Sequence, residues 1–273
     1  STPHVHMKAL DLRPLPSLCL LRDLRQRVDV SKVYDFLDKG LYEKAYSAAA
    51  DLEQDISLLV LSDVHRCEGD HWGAVDLAEE AVEAFRTKKA QEEEAAAWVA
   101  LCRAKLQRGS VDSDQAVTKA RQMLQDVPAD QALAKGFSHV IAAEAAMAMK
   151  EYSKAMWAAK VAVHCFRDRD AMAQASALLL LSSAAKKSSC FREAVFAAEM
   201  AAVTARTSRE VIFEALATRL GSEALLRLGE AQQAAQLAEE SVALFKAAGN
   251  YVQQVEVLVL AAEAHLHRVK QRE

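Results

Sequence analysis

The sequence predicts an all-α fold in which antiparallel helix pairs stack into a solenoid, and three observations carry that expectation. Alanine, the best helix former, supplies 54 of the 273 residues, while the helix breakers glycine and proline supply 8 and 4. A turn position recurs at Gly69, Gly109, Lys150, Ser189 and Gly229, at spacings of 40, 41, 39 and 40 residues, and a fixed period of this length marks a repeat array. Small residues recur in one phase on both sides of each turn.

Seven residues before the turns stand Ser62, Cys102, Ala143, Ser182 and Ser222, with Ala262 at the matching place in the last segment. Two antiparallel helices approach closely where their facing side chains are small. Five residues after the turns stand Ala74, Ala155, Ala194 and Ala234, with Ala116 shifted by two because Val111-Asp112 lengthens that turn. Four residues further on, Ala78, Ala120, Ala159, Ala198 and Ala238 continue the same helical face. Phe85, Phe166 and Phe245, 11 residues beyond their anchor alanines, are expected to fill the gaps between successive pairs.

In chain order, Pro3, Pro14 and Pro16 punctuate an N-terminal arm over residues 1–28. A short helix is expected there from Ser17 to Val28, with Leu18, Leu21 and Leu24 on the side that packs onto the first repeat. Residues 29–54 read as an irregular capping unit, because its Gly40 turn precedes Gly69 by only 29 residues. Residues 55–250 hold five helix pairs, expected at 55–68/72–86, 92–108/114–126, 131–148/152–167, 171–187/191–206 and 210–228/231–247. Residues 251–273 form a C-terminal capping helix that is expected to pack through Val255, Leu258, Val259, Ala262 and Leu266. Its Glu256, Glu263, His267 and Arg268 would then face water.

Charge and motifs remove several function classes. The formal charge of −4 offers no field to gather phosphate backbones, so nucleic acid is not the expected partner. Eight glycines leave no phosphate-cradling loop, and no GxSxG or HExxH motif is present. No catalytic residue, metal site or cofactor is expected. The pairs His4/His6 and His265/His267 are two residues apart, which on a helix points them to opposite sides and away from a shared metal. His139 and His164 read as core histidines. The carboxylates of Glu79-Glu80 and Glu92-Glu93-Glu94 read as exposed helix surface. Cys19, Cys67, Cys102, Cys165 and Cys190 form no CxxC and are odd in number, so they read as buried thiols in an intracellular, reducing compartment. The longest apolar stretch, Ala171 to Ala185, is shorter than the roughly 18 residues that a membrane span needs.

The small residue of the first helix, the tight turn and the alanine ladder of the second together resemble the tetratricopeptide repeat. Trp98-Val99-Ala100-Leu101-Cys102 matches the start of that motif, and Lys150-Glu151-Tyr152-Ser153-Lys154-Ala155 matches its turn. The 40-residue period is similar to that of the longer-helix, kinesin light chain type members. The resemblance covers about residues 55–270, and it implies a right-handed superhelix whose concave face takes an extended or helical peptide. Carried onto this register, it selects Asp63, Arg66, Arg103, Glu144, Met147, Ser183, Lys186, Lys187, Glu223, Leu226 and Glu263 as partner-binding positions, over a floor of Leu59, Val99, Val140, Leu179 and Val259. Mixed signs with apolar steps suit an amphipathic protein segment. The family members that clamp chaperone C-terminal carboxylates use asparagine there, whereas the only asparagine here is Asn250, in a turn. The resemblance thus implies a non-catalytic interaction scaffold or adaptor. The alternative is a constitutive structural or assembly subunit of a large, organellar or other, multiprotein complex, buried through its arm and convex helices.

Overall fold

The computed structural model describes residues 28–109, 113–126 and 131–270. All regular structure among them is helical: α1 (Val28–Asp38), α2 (Tyr42–Ala50), α3 (Gln54–Glu68), α4 (His71–Lys88), α5 (Gln91–Arg108), α6 (Ser113–Asp126), α7 (Gln131–Ala148), α8 (Tyr152–Phe166), α9 (Ala171–Lys187), α10 (Phe191–Ser208), α11 (Val211–Leu228), α12 (Ala231–Ala247) and α13 (Tyr251–Lys270). The five expected pairs are present with ends shifted by at most two residues. The irregular unit is itself a short pair, α1 and α2. The arm, including the helix expected at Ser17 to Val28, lies outside the described residues except for Val28. No described helix is long and apolar enough to cross a membrane.

Each turn of the sequence register ends a helix in the left-handed region: φ is +98° at Gly69, +69° at Gly109, +61° at Lys150, +63° at Ser189 and +83° at Gly229. The next amide then folds back on the last turn of the helix, as in Asp70 N–H to His65 O at 2.9 Å and Glu230 N–H to Leu225 O at 3.0 Å. The following helix starts on a side-chain cap in several places. Asp70, Asp170 and Asn250 accept hydrogen bonds from the amides of Gly73, Ala173 and Gln253.

The alanine ladder is the seam of each pair. Ala74, Ala155, Ala194 and Ala234 are fully buried, as are Ala78, Ala120, Ala159 and Ala238. Where the facing small residue is serine it does more than leave room. The hydroxyls of Ser62, Ser182 and Ser222 each donate to the carbonyl of the anchor alanine, Ala74, Ala194 and Ala234, at 2.8 Å. Phe166 and Phe245 are fully buried and Phe85 nearly so. Phe166 meets Phe137 edge to face at 4.9 Å.

Along the stack, each odd-numbered helix touches the next odd-numbered one from α1 to α13, while the even-numbered helices make no comparable contact with one another. The array therefore curves toward the odd-numbered helices, which line its concave side. The curvature brings the two ends of the described array together. A Cβ placed on Gly40, between α1 and α2, would lie 3.6 Å from Cγ2 of Val252 in α13, and one on Gly249 would lie 3.7 Å from Cγ of Lys39.

The last helix departs from expectation. It packs on α12 through Val257, Ala261 and Ala264, while Val255, Leu258, Val259, Ala262 and Leu266 are exposed. The small position Ala262 faces where a second helix would pair, and among the described residues no helix packs there. The exposed face of α13 is thus apolar rather than solvating.

Candidate functional site

The concave side is built from the last two turns of each odd-numbered helix, where the small position of the repeat sets the phase. One residue further along is Asp63 on α3, Arg103 on α5, Glu144 on α7, Ser183 on α9 and Glu223 on α11. Successive odd helices lie side by side, so these charges meet across the seams. Arg103 Nε donates to Glu144 Oε2 at 2.9 Å, from α5 to α7. Lys186 pairs with Glu223, from α9 to α11. Arg219, with 4% of its side chain exposed, reaches Glu256 of α13 at 3.5 Å and Glu223 at 3.9 Å.

The first seam is closed more deeply. Asp63 and Arg66 are buried and pair at 2.8 Å, three residues apart on α3, and Tyr34 of α1 donates its hydroxyl to the other oxygen of Asp63 at 3.0 Å. Burial works to lower the Arg66 pKa, but the Asp63 carboxylate, with Cys67 and Glu144 beside it, acts the other way and the net shift is upward. Cys102, next to Arg103 on α5, has its thiol pKa raised by burial and then by the Glu144 carboxylate.

The positions selected from sequence divide by access. Leu59, Val99, Val140 and Leu179 are core side chains with at most 2% exposure. They hold the layers together and present no surface. Asp63, Arg66, Arg103, Met147 and Ser183 are buried as well. Glu144, Lys186, Glu223 and Leu226 are half-buried, and Lys187, Val259 and Glu263 are exposed. The mixed charge of the row is largely matched within the molecule, a fact that residue type and spacing could not show. Arg219 and Glu256, which complete the row, fall three residues before and six before the small positions of their helices and so outside the rule that selected the others.

Other candidates moved. Of the cysteines, Cys102 and Cys165 are buried, but Cys67 is half-buried and Cys190 exposed. His164 lies on the exposed side of α8, and His139 is half-buried, with a buried Nδ1 that has no hydrogen-bond partner and an edge-on contact to the Trp157 ring at 5.6 Å. His265 pairs with Glu239 at 2.8 Å. Helical spacing places a histidine on a face but does not say whether the neighbouring helix covers that face. Sequence reading also missed the exposed aromatics of the convex side, Trp72, Trp157 and Phe196. Their signal was available, since each falls off the alanine ladder.

No family model matches this sequence, and no curated protein does. Solved structures match in shape. A signal transduction ATPase with a tetratricopeptide repeat sensor from Pyrococcus horikoshii aligns over 90% of this chain with a TM-score of 0.64 and 13% identity. This chain spans only 37% of that protein. The apo form of RapI aligns over 89% of this chain and 71% of its own length, with a TM-score of 0.58 and 13% identity. At such identity the likeness concerns architecture alone. Helix pairs of this period, joined through left-handed turns and packed along an alanine ladder with odd helices inward, make this chain an all-α solenoid of the tetratricopeptide-repeat type.

Proposed function

We propose that this chain is a non-catalytic protein-interaction scaffold that receives a segment of a partner protein on its concave side. The observation that carries this reading is the set of half-exposed ion pairs at the seams. Glu144, Lys186 and Glu223 are half-buried and held in place by opposite charges, so they offer a partner segment pre-positioned charges of both signs along one side. Leu226, Val259 and the stem of Lys187 supply apolar contact beside them. Crosslinking mass spectrometry on the protein taken from its source tests the assignment. Crosslinks from Lys186 and Lys187 to a second protein are expected, and the reversals Lys187→Glu and Glu263→Lys, both at exposed positions, should weaken that complex about tenfold or more. A partner whose affinity ignores both reversals binds elsewhere.

A second reading, a constitutive subunit of a larger assembly, draws support from the exposed face of α13. Tyr251, Val252, Val255, Leu258, Val259, Leu266 and Val269 are each about half exposed or more, an apolar strip of a kind that monomers rarely leave open. A stable monomer at micromolar concentration in sedimentation velocity favours the scaffold, and concentration-dependent association favours the subunit.

A further inference from the structure

We propose that residues 17–27, the amphipathic part of the N-terminal arm, seat as a helix on the exposed strip of α13 and so tie the first unit of the array to the last. The strip has the spacing of a helix-packing seam. Val252, Val255, Val259, Ala262, Leu266 and Val269 follow one another at alternating steps of three and four residues along α13, and all six are exposed. A second helix packs along such a row, its side chains set into the gaps between the row's own. Of the fifteen large apolar side chains exposed among the described residues, seven lie on this helix, so the strip is where the molecule has most to gain from a cover.

Position selects the arm as that cover. Val252, the first residue of the seam, is also the residue against which the turn between α1 and α2 is set, since a Cβ on Gly40 would lie 3.6 Å from its Cγ2. The unit from which the arm departs thus stands at one end of the strip, and the strip from Val255 to Val269 continues exposed beyond it. α1 runs from Val28 to Asp38, about 16 Å of helix, and the eleven residues 17–27 have the same length as a helix, against about 26 Å for the seam. The arm therefore reaches the strip by turning at Val28. The first unit offers it no comparable place: among the described residues of α1 to α5 and their turns, the large apolar side chains that are exposed are Leu41 and Trp72. Outside the described residues, the stretches 110–112, 127–130 and 271–273 of this sequence are too short to cover a helix.

Charge agrees with position. Residues 1–27 hold five lysines or arginines against two aspartates, in a chain whose net charge is −4. Arg22 and Arg25 directly follow Leu21 and Leu24. From Tyr251 to Ala264, α13 contains Glu256 and Glu263 and no lysine or arginine, and each glutamate directly follows a seam residue, on the same side of the strip. Glu256 is reached by Arg219 at 3.5 Å with 49% of its side chain still exposed, and Glu263 is exposed and pairs with no described side chain. The same row argues against a second copy of the chain, because two α13 helices packed antiparallel would set the Glu256 and Glu263 of one against those of the other. Val259 and Glu263 also belong to the concave row, so a seated arm closes that end of the groove.

Hydrogen–deuterium exchange of the full chain without any partner, read by mass spectrometry at a low and a high protein concentration, tests the arrangement and leaves the concave-side reading standing if it fails. Amides of residues 17–27 should exchange at least about tenfold more slowly than in a synthetic peptide of the same sequence. Leu21→Asp/Leu24→Asp should remove that protection and speed exchange in α13 at least about tenfold, with α3 to α5 unchanged. Leu258→Asp/Leu266→Asp, at exposed positions of α13, should release the arm in the same way, whereas Leu258→Met/Leu266→Met should keep it seated. Unchanged exchange in α8 to α10 would show that the solenoid itself stays folded in each variant. The proposal is overturned if the arm of the parent chain exchanges as fast as the peptide, or if the arm substitutions speed exchange in α1 to α4 instead of α13. Protection of α13 that appears only at the higher concentration would also overturn it and would give the strip to a second copy.

Discussion

A Cβ placed on Gly136 would lie 2.5 Å from Cε1 and 2.8 Å from Cζ of Phe166, a ring with no solvent exposure. Glycine in the middle of a helix costs about 1 kcal/mol relative to alanine, and α7 carries that cost because the ring needs the space. Gly136→Val should therefore destabilise the fold by about 2 kcal/mol, read as a lower urea midpoint with an unchanged slope. From the sequence Gly136 is a weak point in a helix, and only the helix paired with it shows what it is for. Arg66 and Asp63 make the same point for the candidate site. Their spacing along α3 was legible, but their burial depends on Tyr34, which stands 29 residues before Asp63 on another helix.

At the scale of the element, the repeat is defined by what joins its two helices. Three of the five pairs are pinned by a serine hydroxyl on the anchor alanine carbonyl, whereas the pair α7 and α8 has Ala143 facing Ala155 in the same phase. Replacing the buried Ser182 or Ser222 by alanine removes that bond and should cost about 1 kcal/mol each in urea denaturation. The reverse change, Ala143→Ser, should be neutral or stabilising by up to about 1 kcal/mol, because it supplies the same hydroxyl opposite a carbonyl in the same phase. A loss comparable to that of the serine deletions would mean that the α7–α8 seam is too tight to admit an oxygen. The small residue and its phase were readable in the sequence. The hydrogen bond was not, since alanine, cysteine and serine are interchangeable to a reading based on size.

At the scale of the whole molecule, a repeat array derives its stability from each pair and each neighbour interface, and its shape from how consecutive pairs are rotated. Here the rotation brings the Lys39–Gly40 turn against Gly249 and Val252. With Cys190 replaced by serine, Lys39→Cys/Asn250→Cys should form an intramolecular disulfide on mild oxidation, and the product should run faster on a non-reducing gel. A variant that folds but stays reduced would show that the ends stand apart in solution. The sequence by itself determined the all-helical class, the period, the turns and the inner alanine faces, because helix propensity, left-handed caps and close packing of small residues are local or repeat at a fixed spacing. Tertiary structure alone decided which charges of the concave row satisfy one another and that α13 shows an apolar face. Those outcomes depend on which helix lies against which and at what angle, and contacts between residues forty positions apart leave no trace in the spacing along either helix.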